Sequence, residues 1–305
     1  MRRQEMTLRT RQAYVVTLWG LIINGVLVGL KFLAGVVAGS SAIVADAVHS
    51  LSDISTDVAL IWGVRAAAKP VDHDHDYGHG KIETLTSAFI GFFLFAVAVF
   101  LCWNGLVKVA RALSGEVLSR PGWFAALIAV VSVISKEWIF RRTLEAGKKT
   151  DNQALIANAW HHRTDALSSL GVFLGIAGAI ILGEHWRVLD PLAAITVSIF
   201  ILHVAFKIIR HSVHELTEGS LSPEVEESIV ELASSVEGAY RPHRLRTRRI
   251  GQRKAIEMHI CVKPDLNIEQ GHQIATGVED ILRDHFGPET FLSVHIEPLT
   301  QEEDV

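Results

Sequence analysis

Six runs of about twenty apolar residues constrain this 305-residue chain more than any other feature, because each can cross a hydrocarbon layer about 30 Å thick as a helix. They fall near residues 13–38, 41–64, 85–108, 121–142, 154–182 and 189–209. A hydrophobic share of 49% agrees with much of the chain residing in a lipid bilayer. The first run is too long for the apolar part of a cleaved leader and joins the second through Gly39-Ser40-Ser41, so it reads as a span. An even number of spans puts both termini on one side.

Basic residues in the short connections give the orientation. One side carries Arg2, Arg3, Arg9, Arg11, Arg65, Lys69, Lys81, Arg141, Arg142, Lys148 and Lys149; the other has Lys108, Arg111, Arg120 and Arg187. Eleven against four predicts a multi-pass inner-membrane protein with both termini cytoplasmic. The division expected is a six-helix transmembrane transport domain over 1–209 and a cytosolic α+β domain over 210–305. In the second part, Ser222-Pro223-Glu224 reads as a helix start, 244–248 and 255–262 as strands, 269–285 as a helix and 291–297 as a strand. That order, with both helices on one face of the sheet, predicts a small α+β sandwich.

Composition removes several classes. A net charge of −4 argues against nucleic acid as a partner. The two cysteines, Cys102 and Cys261, give neither a disulfide framework nor a CxxC site, so a bound metal would rely on carboxylates and the 15 histidines. No HExxH pattern is present to suggest a metalloenzyme, and no enzymatic activity is expected.

The second span carries Asp46, His49, Asp53 and Asp57, whose offsets put them on one helical stripe. Ionisable groups at bilayer depth are costly and mark a cavity or pathway. The fifth span repeats the arrangement with Asn158, His161, Asp165 and Ser169, beside His162. Two helices that each present His and Asp at i and i+4 supply two imidazole nitrogens and two carboxylate oxygens, a set that can close a tetrahedron around Zn²⁺. Two neutral His, two aspartates and one dication sum to zero charge. Emptied, the site would take up protons instead, so metal and protons compete for it, which is the minimum requirement of an antiporter. Asp46 and Asp57 either line the pathway or pair with Lys31, Lys136 or Arg163. A second His- and Asp-rich tract, Asp72-His73-Asp74-His75-Asp76-Tyr77-Gly78-His79-Gly80, connects spans two and three. The tail adds His243, His259, His272, His285 and His295.

These residues resemble the cation diffusion facilitator family over nearly the whole chain. The motifs carrying the resemblance are Ala45-Asp46-Ala47-Val48-His49-Ser50-Leu51-Ser52-Asp53 and His161-His162-Arg163-Thr164-Asp165-Ala166-Leu167-Ser168-Ser169. The resemblance implies a dimeric divalent-metal/proton antiporter with six transmembrane helices and a cytosolic ferredoxin-like, metallochaperone-like domain that dimerises and senses metal. It implies transport ligands His49, Asp53, His161 and Asp165, and a His in both paired positions is similar to the zinc-type members. Asp72, His75 and His79, in the loop that runs on to Tyr77-Gly78-His79-Gly80-Lys81-Ile82-Glu83, match a second metal site of some members. His243, His259, His272, His295 and Glu297 match positions used for tail metals. Glu297 stands where Asp is found in some zinc members, a departure that bears on a binuclear site and leaves a mononuclear one open. The expected reading is proton-coupled zinc efflux from the cytoplasm by a homodimer, with zinc as cargo and regulator and no prosthetic group. Fe²⁺, Cd²⁺, Co²⁺ and Mn²⁺ are the alternative cargoes. A metal-sensing scaffold without turnover is the alternative of another class.

Overall fold

The computed structural model describes residues 2–67, 72–150, 153–251 and 253–299; within these, the side chains of 2–17, 56–67, 150, 153–155 and 157 are not described. Asp57 and the basic groups of Arg2, Arg3, Arg9, Arg11, Arg65 and Lys69 therefore lie outside the described residues. Six long helices occupy the positions of the six apolar runs: α1 Arg2–Ala38, α2 Ser41–Ala67, α3 Lys81–Leu113, α4 Trp123–Thr150, α5 Gln153–Ile181 and α6 Leu189–Leu216. A short 3₁₀ helix, Glu184–Val188, precedes α6. Five stretches are long and apolar enough to cross a membrane: Leu18–Ala38, Lys81–Leu113, Trp123–Lys149, Asn158–Ile181 and Glu184–Leu216. The 27 residues of α2 reach about 40 Å, which also suffices, but its apolarity is broken by the acidic stripe.

The chain divides into two compact units. The first comprises Met1–Val58 and Ile90–Lys207. Its interior is built from small side chains: Ala34, Ala42, Ala45, Ala98, Ala125, Ala129 and Ala194 are buried beside Ile43, Ile176 and Ile201. Small residues let helix backbones approach closely, so dispersion and interhelical hydrogen bonds hold the bundle where lipid provides no hydrophobic drive. A Cβ on Gly105 would come within 2.6 Å of Ile195, and one on Gly175 within 2.6 Å of Ala193. Large apolar groups point outward instead, among them Phe92, Phe100, Trp103, Leu127, Leu174, Phe200 and Phe206. This inside-out distribution fits a surface wetted by acyl chains.

One polar contact fixes the start of α2. Asp190, at the start of α6, accepts from Ser40 Oγ at 2.5 Å, from the Ser41 amide at 2.8 Å and from the Ala42 amide at 3.3 Å. A carboxylate thus satisfies free amides at the positive end of α2 and sets the height of the helix that carries the acidic stripe.

The second unit comprises Ala59–Phe89 and Ile208–Val305. After the end of α6 come α7 Pro223–Ser234, β1 Tyr240–Ile250, β2 Arg253–Val262, α8 Ile268–Phe286 and β3 Phe291–Pro298. The sheet order is β1-β2-β3, antiparallel between the first pair and parallel between the second. Ile229, Ala233, Ile256, Met258, Ile260, Val278 and Leu282 form the core between sheet and helices. A reciprocal capping box between Asn267 and Gln270 starts α8. Strand β1 is irregular at its beginning, with register shifts on both sides of His243 and positive φ at Arg241 (45°) and Arg244 (48°). These bulges turn His243 toward the two strands that follow.

Candidate metal centres

In the membrane unit, ligand atoms of His49, Asp53 and Asp165 lie within 4.8 Å of one another. His49 Nε2 is 3.9 Å from Asp165 Oδ1. Helices α2 and α5 bring these groups together because each presents them one turn apart on the face turned toward the other. His161 stands at the rim with a side chain 53% exposed, and its Nε2 is 4.0 Å from Asp165 Oδ2. The expected four ligands therefore appear as three gathered groups and one neighbour. Buried His49 Nδ1 has no hydrogen-bond partner among the described residues.

Two lysines were expected only as partners of Asp46 or Asp57, and the structure divides them differently. Lys31 Nζ pairs with Asp46 Oδ2 at 2.7 Å, both side chains fully buried. Ser50 accepts from Lys31 at 3.0 Å, and Ser169 donates to both oxygens of Asp46 at 3.2 and 3.1 Å. Lys136 Nζ lies 3.1 Å from Asp165 Oδ2, inside the ligand cluster. Arg163 instead stacks over Phe140 and Trp160. The cost of an ammonium at membrane depth was the available signal for Lys136.

In the loop, Asp72 gathers both histidines. His75 Nδ1 donates to Asp72 Oδ1 at 3.0 Å, and His79 Nε2 is 3.3 Å from Oδ2. The bond from His75 holds the Asp72 carboxyl below its usual range. The base of this loop docks on the β1–β2 hairpin: a Cβ on Gly80 would stand 2.6 Å from the Ile250 carbonyl, and one on Gly251 2.8 Å from that of Gly80. Tyr77 meets Phe291 edge-on at 5.2 Å and lies under the Arg248 guanidinium at 5.6 Å.

In the tail, the strands align His243 with His259 and His259 with His295. Glu297 is their common acceptor: His259 Nδ1 donates to Oε1 at 2.8 Å, His243 Nε2 to Oε2 at 3.2 Å, and His295 Nε2 lies 3.8 Å from Oε1. The His259 bond keeps the Glu297 carboxyl below its ordinary range. A cleft of about 300 Å³ beside this cluster is lined by Arg244, Arg246, Glu257, His259, Ser293 and His295. His272 lies apart, exposed on α8.

Residues 17–217 match the model of the cation efflux transmembrane domain, and residues 221–299 match that of the cation efflux protein cytoplasmic domain. The chain belongs to the cation efflux family. This is the cation diffusion facilitator family, and the chain is a multi-pass membrane transporter that exports metal cations. It is 31% identical to the manganese efflux system protein MneP of Bacillus subtilis over 291 residues, covering 94% of this chain and 96% of that one. Metal tolerance protein C1 of Arabidopsis thaliana is 34% identical over 280 residues, covering 88% and 59% respectively. Magnetosome protein MamB of Magnetospirillum gryphiswaldense is 30% identical over 269 residues, covering 88% of each. A nickel form of the MamM CTD aligns with 30% identity and a TM-score of 0.25 over 26% of this chain and 100% of that one.

Proposed function

We propose that this cation efflux protein exports divalent transition metal, foremost zinc, from the cytoplasm in exchange for protons, by alternating access at His49, Asp53, His161 and Asp165. The observation carrying the reading is the convergence of His49, Asp53 and Asp165 inside the bundle with His161 at its edge. Nitrogen and oxygen donors in equal number suit zinc, and the two carboxylates balance its charge. Bringing His161 inward completes four ligands at about 2.0–2.2 Å, a step that links binding to a conformational change. Protons arriving from outside compete for the imidazoles, whose ordinary pKa is about 6.5, and help expel the ion.

Residues 1–209 form the transport part and 210–305 a cytosolic, dimerising and metal-sensing part in this reading, with both termini in the cytoplasm of an inner-membrane homodimer. Asp72, His75 and His79 would hold a regulatory ion in the loop, and His243, His259, His295 and Glu297 one in the tail. His272 would join them only from elsewhere in a dimer. Crosslinking in membranes that recovers monomer alone would remove the homodimer.

The test is flux in proteoliposomes under an imposed proton gradient, with zinc, iron(II), manganese and cadmium offered separately and proton counter-movement recorded. Zinc flux opposed by protons supports the proposal, and His49→Ala should abolish it. Manganese is the second reading, favoured by the name of the MneP relative. Manganese or iron flux without zinc overturns the metal assignment, and no flux favours the sensing scaffold.

A further inference from the structure

We propose that Lys136 is a resident counter-cation of the transport centre that sets how tightly, and how selectively, the centre holds a divalent ion. The proposal rests on the assignment of cargo to His49, Asp53, His161 and Asp165. The ammonium of Lys136 lies 3.1 Å from Asp165 Oδ2, with side chains only 2% and 4% exposed. Oδ2 is also the Asp165 oxygen nearest His161 Nε2, at 4.0 Å. An ion held between Asp165 and His161 through that oxygen must therefore displace Lys136 Nζ. Lys31 provides the contrast. Its partner Asp46 lies outside the ligand cluster, and serines complete the pair's hydrogen bonds.

The charge count gives the consequence. Asp53 and Asp165 with Lys136 leave one negative charge, so a dication makes the loaded centre singly positive, whereas without Lys136 it would be neutral. Inside the bundle, repulsion between ammonium and dication is only weakly screened, so Lys136 holds affinity down and favours release. It also discriminates by valence. A monovalent ion that displaces Lys136 from Asp165 only replaces one positive charge with another, while a dication brings a charge more.

The experiment is initial-rate flux of zinc and, in parallel, manganese through the full-length protein in proteoliposomes. Metal-free thermal unfolding of each variant in detergent accompanies it. Lys136→Gln should lower KM by about tenfold, lower kcat because release slows, and make flux sensitive to excess sodium. Lys136→Arg keeps the charge and grips both Asp165 oxygens, so KM should rise with unfolding temperature unchanged. A lysine acting only as a structural support would raise KM in both variants. An unchanged or raised KM in Lys136→Gln overturns the proposal; if that variant does not fold, an unchanged KM in Lys136→Arg does so. Asp165→Asn separates the two claims. If it is inactive while Lys136→Gln behaves as wild type, the counter-cation role falls and the transport centre stands. If it carries both metals normally, the centre falls and the role with it.

Discussion

Lys31 and Asp46 occupy the interior of α1 and α2 as a fully desolvated pair, and their value lies in mutual neutralisation rather than net attraction. Removing one partner strands a charge, so Lys31→Met should destabilise the protein by about 3–5 kcal/mol. Lys31→Met with Asp46→Leu should recover most of that loss, as thermal unfolding in detergent would reveal; equal loss in single and double variants would contradict the pairing. Glu297 behaves differently because it is reachable from water. Its folded pKa lies below the ordinary 4.5, so it contributes stability above that pH and loses it as pH falls through the lower folded value. Tail unfolding followed from pH 6 down to about 3 should show this loss, and Glu297→Gln should flatten it. His49, Asp53 and Asp165 were legible in the sequence because helical spacing alone puts each His–Asp pair on one face. Lys136 was harder to assign, since its partner sits on another helix and no local periodicity links 136 to 165.

Among the elements, all six long helices and the α-β-β-α-β order of the tail could be read in advance, because apolar run length and alternation report them directly. Boundaries shifted where polar residues continue a helix: α1 begins at Arg2 and α6 runs to Leu216, past the last lipid-like residue of each run. The bulges at Arg241 and Arg244 had no signal, since positive φ at arginine follows from strand pairing rather than propensity. Nor could spacing show that His243, His259 and His295 meet; the strand register does that. The cap on α2 was equally hidden, because Asp190 is remote from Ser41 in sequence. Asp190→Ala should leave free amides at a buried helix end and cost about 1–3 kcal/mol, with a larger fractional loss of metal flux than Ser222→Ala at the start of α7. Flux and unfolding measured together would decide this, and equal effects would argue against a role for α2 height.

For the molecule as a whole, the outward Phe200 and Phe206 and the inward alanines reverse the pattern of a water-soluble bundle. Phe200→Arg should therefore impair insertion by roughly 2.5–3.5 kcal/mol, visible as a lower membrane-inserted fraction, whereas the same change at exposed Tyr240 in the tail should not. The anchoring of α2 by Asp190 also has a mechanical side. A helix fastened at one end is a lever rather than a piston. His49 and Asp53 lie about 10 and 16 Å along the axis from Ala42, so a tilt of about 10° carries them roughly 2 and 3 Å sideways. Coordination bonds are about 2 Å long, so a small swing about that pin is enough to close or break the grip on an ion.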